Sequence, residues 1–210
     1  MLTALQNLAP LKRPQFVGAA ASYDYEETFN GTGYDLGGWT EATATVDEDY
    51  TPALEGAASL NCVSGGIAYL AITATDNCYV YFQMQIDAWD AFDTFMRFND
   101  SFSTRASVRL NSSGSTWRAI HGTDFDDSTS SFSTSTHYHV WVEYEKGTGS
   151  DGVIRLYVST SAGSKTLEAT ASAGTSTTSV DRIYFQGTGT GDIVFDSLKI
   201  DLTNPIPANP

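Results

Sequence analysis

The chain has 210 residues, 41% hydrophobic and 12% aromatic, enough apolar material for one sizeable core that needs no disulfide staple. Eleven basic residues against 25 acidic ones leave a formal net charge of −14. With no basic cluster beyond Lys12-Arg13, a phosphate-binding nucleic-acid surface is excluded. No run approaches the ~18 apolar residues that a membrane-spanning helix requires, so no membrane partner is expected. Two cysteines, Cys62 and Cys78, define neither a disulfide framework nor a zinc site. A single bridge between them and a pair of buried free thiols both stay open.

Residues 1–22 differ from all that follows. They hold no Asp or Glu and carry +2 through Lys12 and Arg13, whereas residues 24–210 hold nine basic and 25 acidic side chains. Leu2, Leu5 and Leu8 form a short apolar stripe that Pro10 and Pro14 end, and Leu11 and Phe16 add further apolar area. A segment that is not repelled by the acidic bodies of its neighbours is suited to lie on one of them. The expectation is an assembly arm, with other copies of the chain or a capsid or shell protein as partner. Met1 to Pro10 shows no leading basic residue, and Gln6-Asn7 interrupts its apolar stretch, so no secretory signal is expected. That favours release by lysis and a virion-surface or otherwise extracellular location.

From Tyr23 onward, short runs alternate apolar and polar residues with period two. The strands predicted in chain order are 23–29, 39–46, 57–63, 67–73, 78–86, 94–98, 105–111, 116–120, 138–145, 153–159, 165–170, 181–186 and 192–201. The run 78–86 is the clearest: Cys78, Val80, Phe82, Met84 and Ile86 share one face, and Tyr79, Tyr81, Gln83 and Gln85 the other. Glycine-bearing turns such as Ser64-Gly65-Gly66 and Gly147 to Gly152 separate the runs. Asp87 to Asp93 reads as a single helical turn, and 126–136 and 171–179 as long surface loops. The runs 137–144 and 153–158 are expected to pair as a hairpin. Three of the six prolines fall in residues 203–210, which reads as an extended C-terminal tail. The expected organisation is an arm over 1–22, an all-β antiparallel two-sheet sandwich over 23–202, and a Pro-rich tail over 203–210.

The order of these pieces resembles the concanavalin A-like lectin/glucanase jelly roll, its laminin-G-like members in particular. The residues that carry the resemblance are Tyr25 to Gly31, Ala53 to Leu60, His137 to Tyr144, Gly152 to Val158 and Ile193 to Ile200. It implies a jelly roll over about residues 23–201 and a glycan-binding face opposite the core. On that face Trp141, Glu143, Arg155 and Tyr157 are the candidate contacts, aromatic rings for stacking and charged groups for hydroxyls. It also implies that a structural calcium is possible, with Glu26 or Glu27 and Asp196 as ligands; otherwise no cofactor is expected.

Catalytic signatures are missing. The Glu-x-Asp-x-x-Glu strand of the family's glucanases does not occur, and neither Asp87-x-x-Asp90-x-x-Asp93 nor Glu143-Tyr144-Glu145 replaces it. Asp124-Phe125-Asp126-Asp127 lacks the glycine and closing Glu of a calcium loop. His121, His137 and His139 have no third ligand in a metal-binding spacing, although His137 and His139 fall on one strand face. The expectation is therefore a non-catalytic virion surface or capsid decoration protein, not an enzyme, held to its neighbours by its arm. The alternatives are a free-standing carbohydrate-binding module and, less favoured, a divergent glycosidase or polysaccharide lyase.

Overall fold

The computed structural model describes residues 22–31, 33–43, 45–89, 93–111, 115–189 and 191–210. The expected assembly arm with Leu2, Leu5, Leu8, Leu11 and Phe16 lies outside the described residues, as does Asp90 of the expected helical turn. Fifteen strands and no helix make up the described part: β1 Tyr25–Glu27, β2 Trp39–Glu41, β3 Val46–Tyr50, β4 Ser59–Cys62, β5 Ile67–Thr75, β6 Asn77–Ile86, β7 Thr94–Asp100, β8 Ser103–Asn111, β9 Thr116–His121, β10 Asp124–Ser131, β11 His137–Glu145, β12 Gly152–Ser159, β13 Thr166–Gly174, β14 Val180–Gln186 and β15 Ile193–Asp201.

All pairings are antiparallel, in two sheets. The first runs β13-β12-β11-β6-β15-β4-β3, with β1 also on β15, and the second runs β10-β9-β8-β7-β14-β5-β2. The all-β two-sheet sandwich is as expected. Alternation explains its core, because each strand turns every second residue inward. Val80, Phe82 and Met84 face the interior beside Val140 and Val142 of β11 and Ile154 and Leu156 of β12, and all are buried. At the centre Phe82 meets Phe95, Phe185 and Phe195 edge-on, the geometry that aromatic quadrupoles favour.

Three expectations are corrected. The run 39–46 is two strands, because the chain leaves the second sheet after β2 and joins the first at β3. The expected loop 126–136 begins with β10, an edge strand whose polar composition hid it; likewise β13 runs on to Gly174, into the expected loop 171–179. The Asp124 and Asp126 carboxylates of β10 accept hydrogen bonds from Ala173 N and Thr170 N on β13 (both 2.8 Å), joining the two sheets along one side. A lost sequence signal thus becomes an edge that is covered.

Cys62 and Cys78 are free and buried, on β4 and β6 with β15 between them. Burial pushes the Cys62 thiol up to about 12. The suggested calcium ligands are engaged by hydrogen-bond donors. Glu27, fully buried, accepts from Phe29 N, Asp35 N, Leu36 N and Trp39 Nε1, and Asp196 accepts from Glu55 N, Ser59 Oγ and Ser197 N. Among the described residues no group of three metal-ligating side chains occurs. His121 is a packing residue: its ring stacks on Tyr144 at 5.2 Å and fills the space that Gly152 and Gly174 leave by lacking Cβ atoms.

Candidate functional site

The four residues expected to bind glycan do share the outer face of the first sheet. Trp141 pairs with Tyr157 and Glu143 with Arg155 across the β11/β12 hairpin, in the expected register. The chain's own C-terminal tail covers them. Ile206 is buried against Trp141, whose Nε1 donates to Pro207 O at 3.0 Å and which is 1% exposed. Lys165 Nζ donates to Ile206 O (3.1 Å) and to Glu143 Oε1 (2.7 Å) while lying 4.4 Å from the centre of the Tyr157 ring. Arg155 is held by Glu145 at 2.6 Å, and Tyr157 Oη donates to Glu143. This quartet is internally satisfied, and the tail takes the place over the Trp141 ring where a sugar would stack.

The outer face of the second sheet is different. Its central row, read across β5, β14, β7, β8, β9 and β10, is Tyr69, Tyr184, Arg97, Ser107, Ile120 and Phe125. Flanking rows place Arg182 beside Asn99, and Arg109 beside Arg118. With Arg105 on the same phase of β8, five of the nine cations of residues 24–210 stand on this one face of an acidic protein. Each occupies the polar phase of a strand whose other phase is core, which is why the backbone can hold them side by side on the outer face.

The rings and guanidinium groups interleave. Tyr69 and Tyr184 stack at 4.7 Å, Arg97 lies 5.0 Å from the centre of the Tyr184 ring and Arg182 5.5 Å from that of Tyr69. Three of the arginines have carboxylates: Arg105 with Asp100 (3.0 Å), Arg118 with Asp127 (2.6 Å) and Arg182 with Asp181 (3.8 Å). Arg97 and Arg109 have none among the described residues, and the Nε of each is buried without a hydrogen-bond partner. Burial holds the Arg97 guanidinium below its ordinary range, partly offset by Tyr184, and burial together with the Arg118 charge does the same to Arg109. Asn99, 2% exposed, likewise leaves Oδ1 unpaired.

Two half-buried guanidinium groups without carboxylate partners among the described residues are suited to take up an anion. Beside them stand two stacked phenols that offer a platform for a sugar ring and hydroxyls able to move a proton. The carboxylates of this face, Asp100, Asp127 and Asp181, are each tied to an arginine, so the nucleophile and acid pair of a retaining hydrolase is not arranged here. Sequence reasoning missed this face. Its signal was present, since Arg97, Arg105, Arg109, Arg118 and Arg182 all fall on the polar phase of predicted strands or one residue beside them.

No family model and no curated protein sequence matches the chain. Among solved structures, alginate lyase Aly36B superposes with a TM-score of 0.56 at 13% identity, covering 86% of this chain and 97% of that one. An endo-β-1,4-glucuronan lyase from the fungus Trichoderma reesei gives 0.57 at 9% identity, covering 87% and 96%. Trypanosoma rangeli sialidase gives 0.60 at 14% identity, covering 96% of this chain but 34% of the sialidase. These findings overturn the expectation of a non-catalytic virion surface protein that is no enzyme: two structures matched over nearly their whole length are lyases, and nothing found supports a capsid role. At such identities the likeness is one of fold. The chain is a two-sheet antiparallel sandwich resembling the jelly-roll folds of these carbohydrate-active enzymes.

Proposed function

We propose that the chain is a polysaccharide lyase acting on a carboxylate-bearing polysaccharide at the outer face of the second sheet. The observation that carries the reading is the pair Arg97 and Arg109, cations without carboxylate partners among the described residues, beside the Tyr69/Tyr184 stack. The two end-to-end fold matches support it, being named for alginate and glucuronan, polymers of uronic acids. Cleavage by elimination removes the proton on the carbon next to the carboxylate. The electron pair left behind forms a carbon–carbon double bond as the neighbouring glycosidic C–O bond breaks, and the departing oxygen takes a proton.

Each step has a group on this face. Arg97 and Arg109 bind the uronate carboxylate and stabilise the charge that spreads onto it as the proton leaves, the role for which preorganised donors contribute ~10²–10³ in rate. Tyr184, whose ring centre lies 5.0 Å from the Arg97 guanidinium, acts as its phenolate to take that proton, and the phenol so formed gives it to the leaving oxygen. Tyr69 stacks beneath a neighbouring sugar.

The test is to incubate the protein with alginate, glucuronan and pectate and to follow ultraviolet absorbance of the conjugated unsaturated product. A rise that Tyr184→Phe abolishes supports the reading. New reducing ends without that absorbance, or no product from any polyuronate, refutes it.

A further inference from the structure

The first sheet carries a groove on the opposite side of the sandwich that the lyase chemistry does not use. It has a volume of about 600 Å³, and Tyr81 and Gln83 of β6 and His137 and His139 of β11 line it. It lies next to the tail-covered Trp141, displaced along the strands. A β-bulge between Asp196 and Lys199, with Ser197 at a φ of +49°, shifts the register of β15 beside Gln83 and Tyr81.

The groove is polar and electrically compensated. The Lys199 ammonium is paired with Glu26 at 3.6 Å, and the Glu55 carboxylate accepts from Gln83 Nε2 and from Ser197 Oγ. A polyuronate finds no spare cation here. Rings line the same wall: His137 stacks on His139 at 5.2 Å, His139 on Trp141 at 6.3 Å, and Tyr81 Oη hydrogen-bonds His139 Nδ1 at 2.8 Å. Burial lowers the pKa of both imidazoles, keeping them neutral in neutral solution. Two polar atoms are buried with nothing to bond. Gln83 is 5% exposed and its Oε1 has no partner, nor has His137 Nε2. A buried polar atom left unpaired is costly, and a hydroxyl that bonds it removes that cost.

We propose that this groove is a second carbohydrate site, taking a neutral oligosaccharide whose ring lies along the histidine wall and whose hydroxyls bond Gln83 Oε1 and His137 Nε2. It is independent of the lyase reading: a chain without elimination activity would still hold sugar here.

The test is calorimetric titration of the full chain with cellotetraose, xylotetraose and mannotetraose, against an alginate tetrasaccharide as the charged comparator. At least one neutral sugar should bind. Gln83→Ala and His137→Ala should each weaken it by about tenfold or more, the loss of one well-made hydrogen bond. Arg97→Met, which removes the anion site on the other sheet, should leave it unchanged. If Gln83→Ala does not fold, His137→Ala and amide shift mapping on the wild-type chain carry the test, with shifts expected at 81–83 and 137–139. Failure of all three neutral sugars to bind, equal affinity for the uronate at the same residues, insensitivity to the folded groove substitutions, or loss of binding in Arg97→Met overturns the proposal.

Discussion

Replacing Arg97 with Met separates an arginine that holds the fold together from one kept for a ligand. The stability terms nearly cancel. The guanidinium lies 5.0 Å from the centre of the Tyr184 ring, a contact that contributes ~0.5–2 kcal/mol and is lost in the variant. Against this, Arg97 Nε is buried without a partner, a burden of ~1–3 kcal/mol that methionine lifts while its unbranched stem fills much of the same space. The net effect lies between a loss of ~1 and a gain of ~2.5 kcal/mol, and at ~2–4 °C per kcal/mol for a chain of this size the melting temperature falls by ~4 °C at most or rises by up to ~10 °C. Elimination activity, in contrast, should fall by ~10²–10³, the effect of removing one preorganised oxyanion donor. Differential scanning calorimetry and the ultraviolet assay on the same preparation give both numbers. A melt lowered by more than ~10 °C would make Arg97 structural, and activity within twofold of wild type would remove it from the mechanism.

Glu27→Ala should be far more damaging, because four N–H donors lose their acceptor; at ~1–3 kcal/mol each the loss is at least ~4 kcal/mol, read by urea unfolding. Phe82→Ala, which empties the space between three buried rings, should cost ~3–5 kcal/mol, and an unchanged thermal melt would contradict the inward register of β6. Burial lowers the pKa of His121, His137 and His139, so the folded state binds their protons less readily than the unfolded chain does. Stability should therefore be full above the unfolded histidine value of ~6.5 and decline as pH falls below it toward the depressed folded values, a trend that urea midpoints across this range would check. Ile206→Ala should release the tail from Trp141 and red-shift the tryptophan emission; an unchanged spectrum would mean that Pro207 alone holds it.

The core was legible in the sequence because period-two alternation is a local property: Val80, Phe82 and Met84, or Val140 and Val142, announce their inward face within a few residues. The β11/β12 hairpin was legible for the same reason, its partners being joined by one turn. The outward face is another matter. Alternation tells which residues point away from the core but not what else lies over them, so Trp141 read as an open platform although Ile206, 65 positions further along the chain, covers it. β10 escaped because an edge strand whose carboxylates bond the backbone of β13 needs little apolar character. The arginine face escaped because it exists only once sheet order is known: β14 comes between β5 and β7, and this brings Tyr184 between Tyr69 and Arg97, residues 28 positions apart from each other and more than 80 from it. Net charge is equally silent about such a face. A total of −14 speaks against anionic ligands for the molecule as a whole, yet binding is decided over the few ångströms around Arg97 and Arg109, where no carboxylate among the described residues answers the two cations.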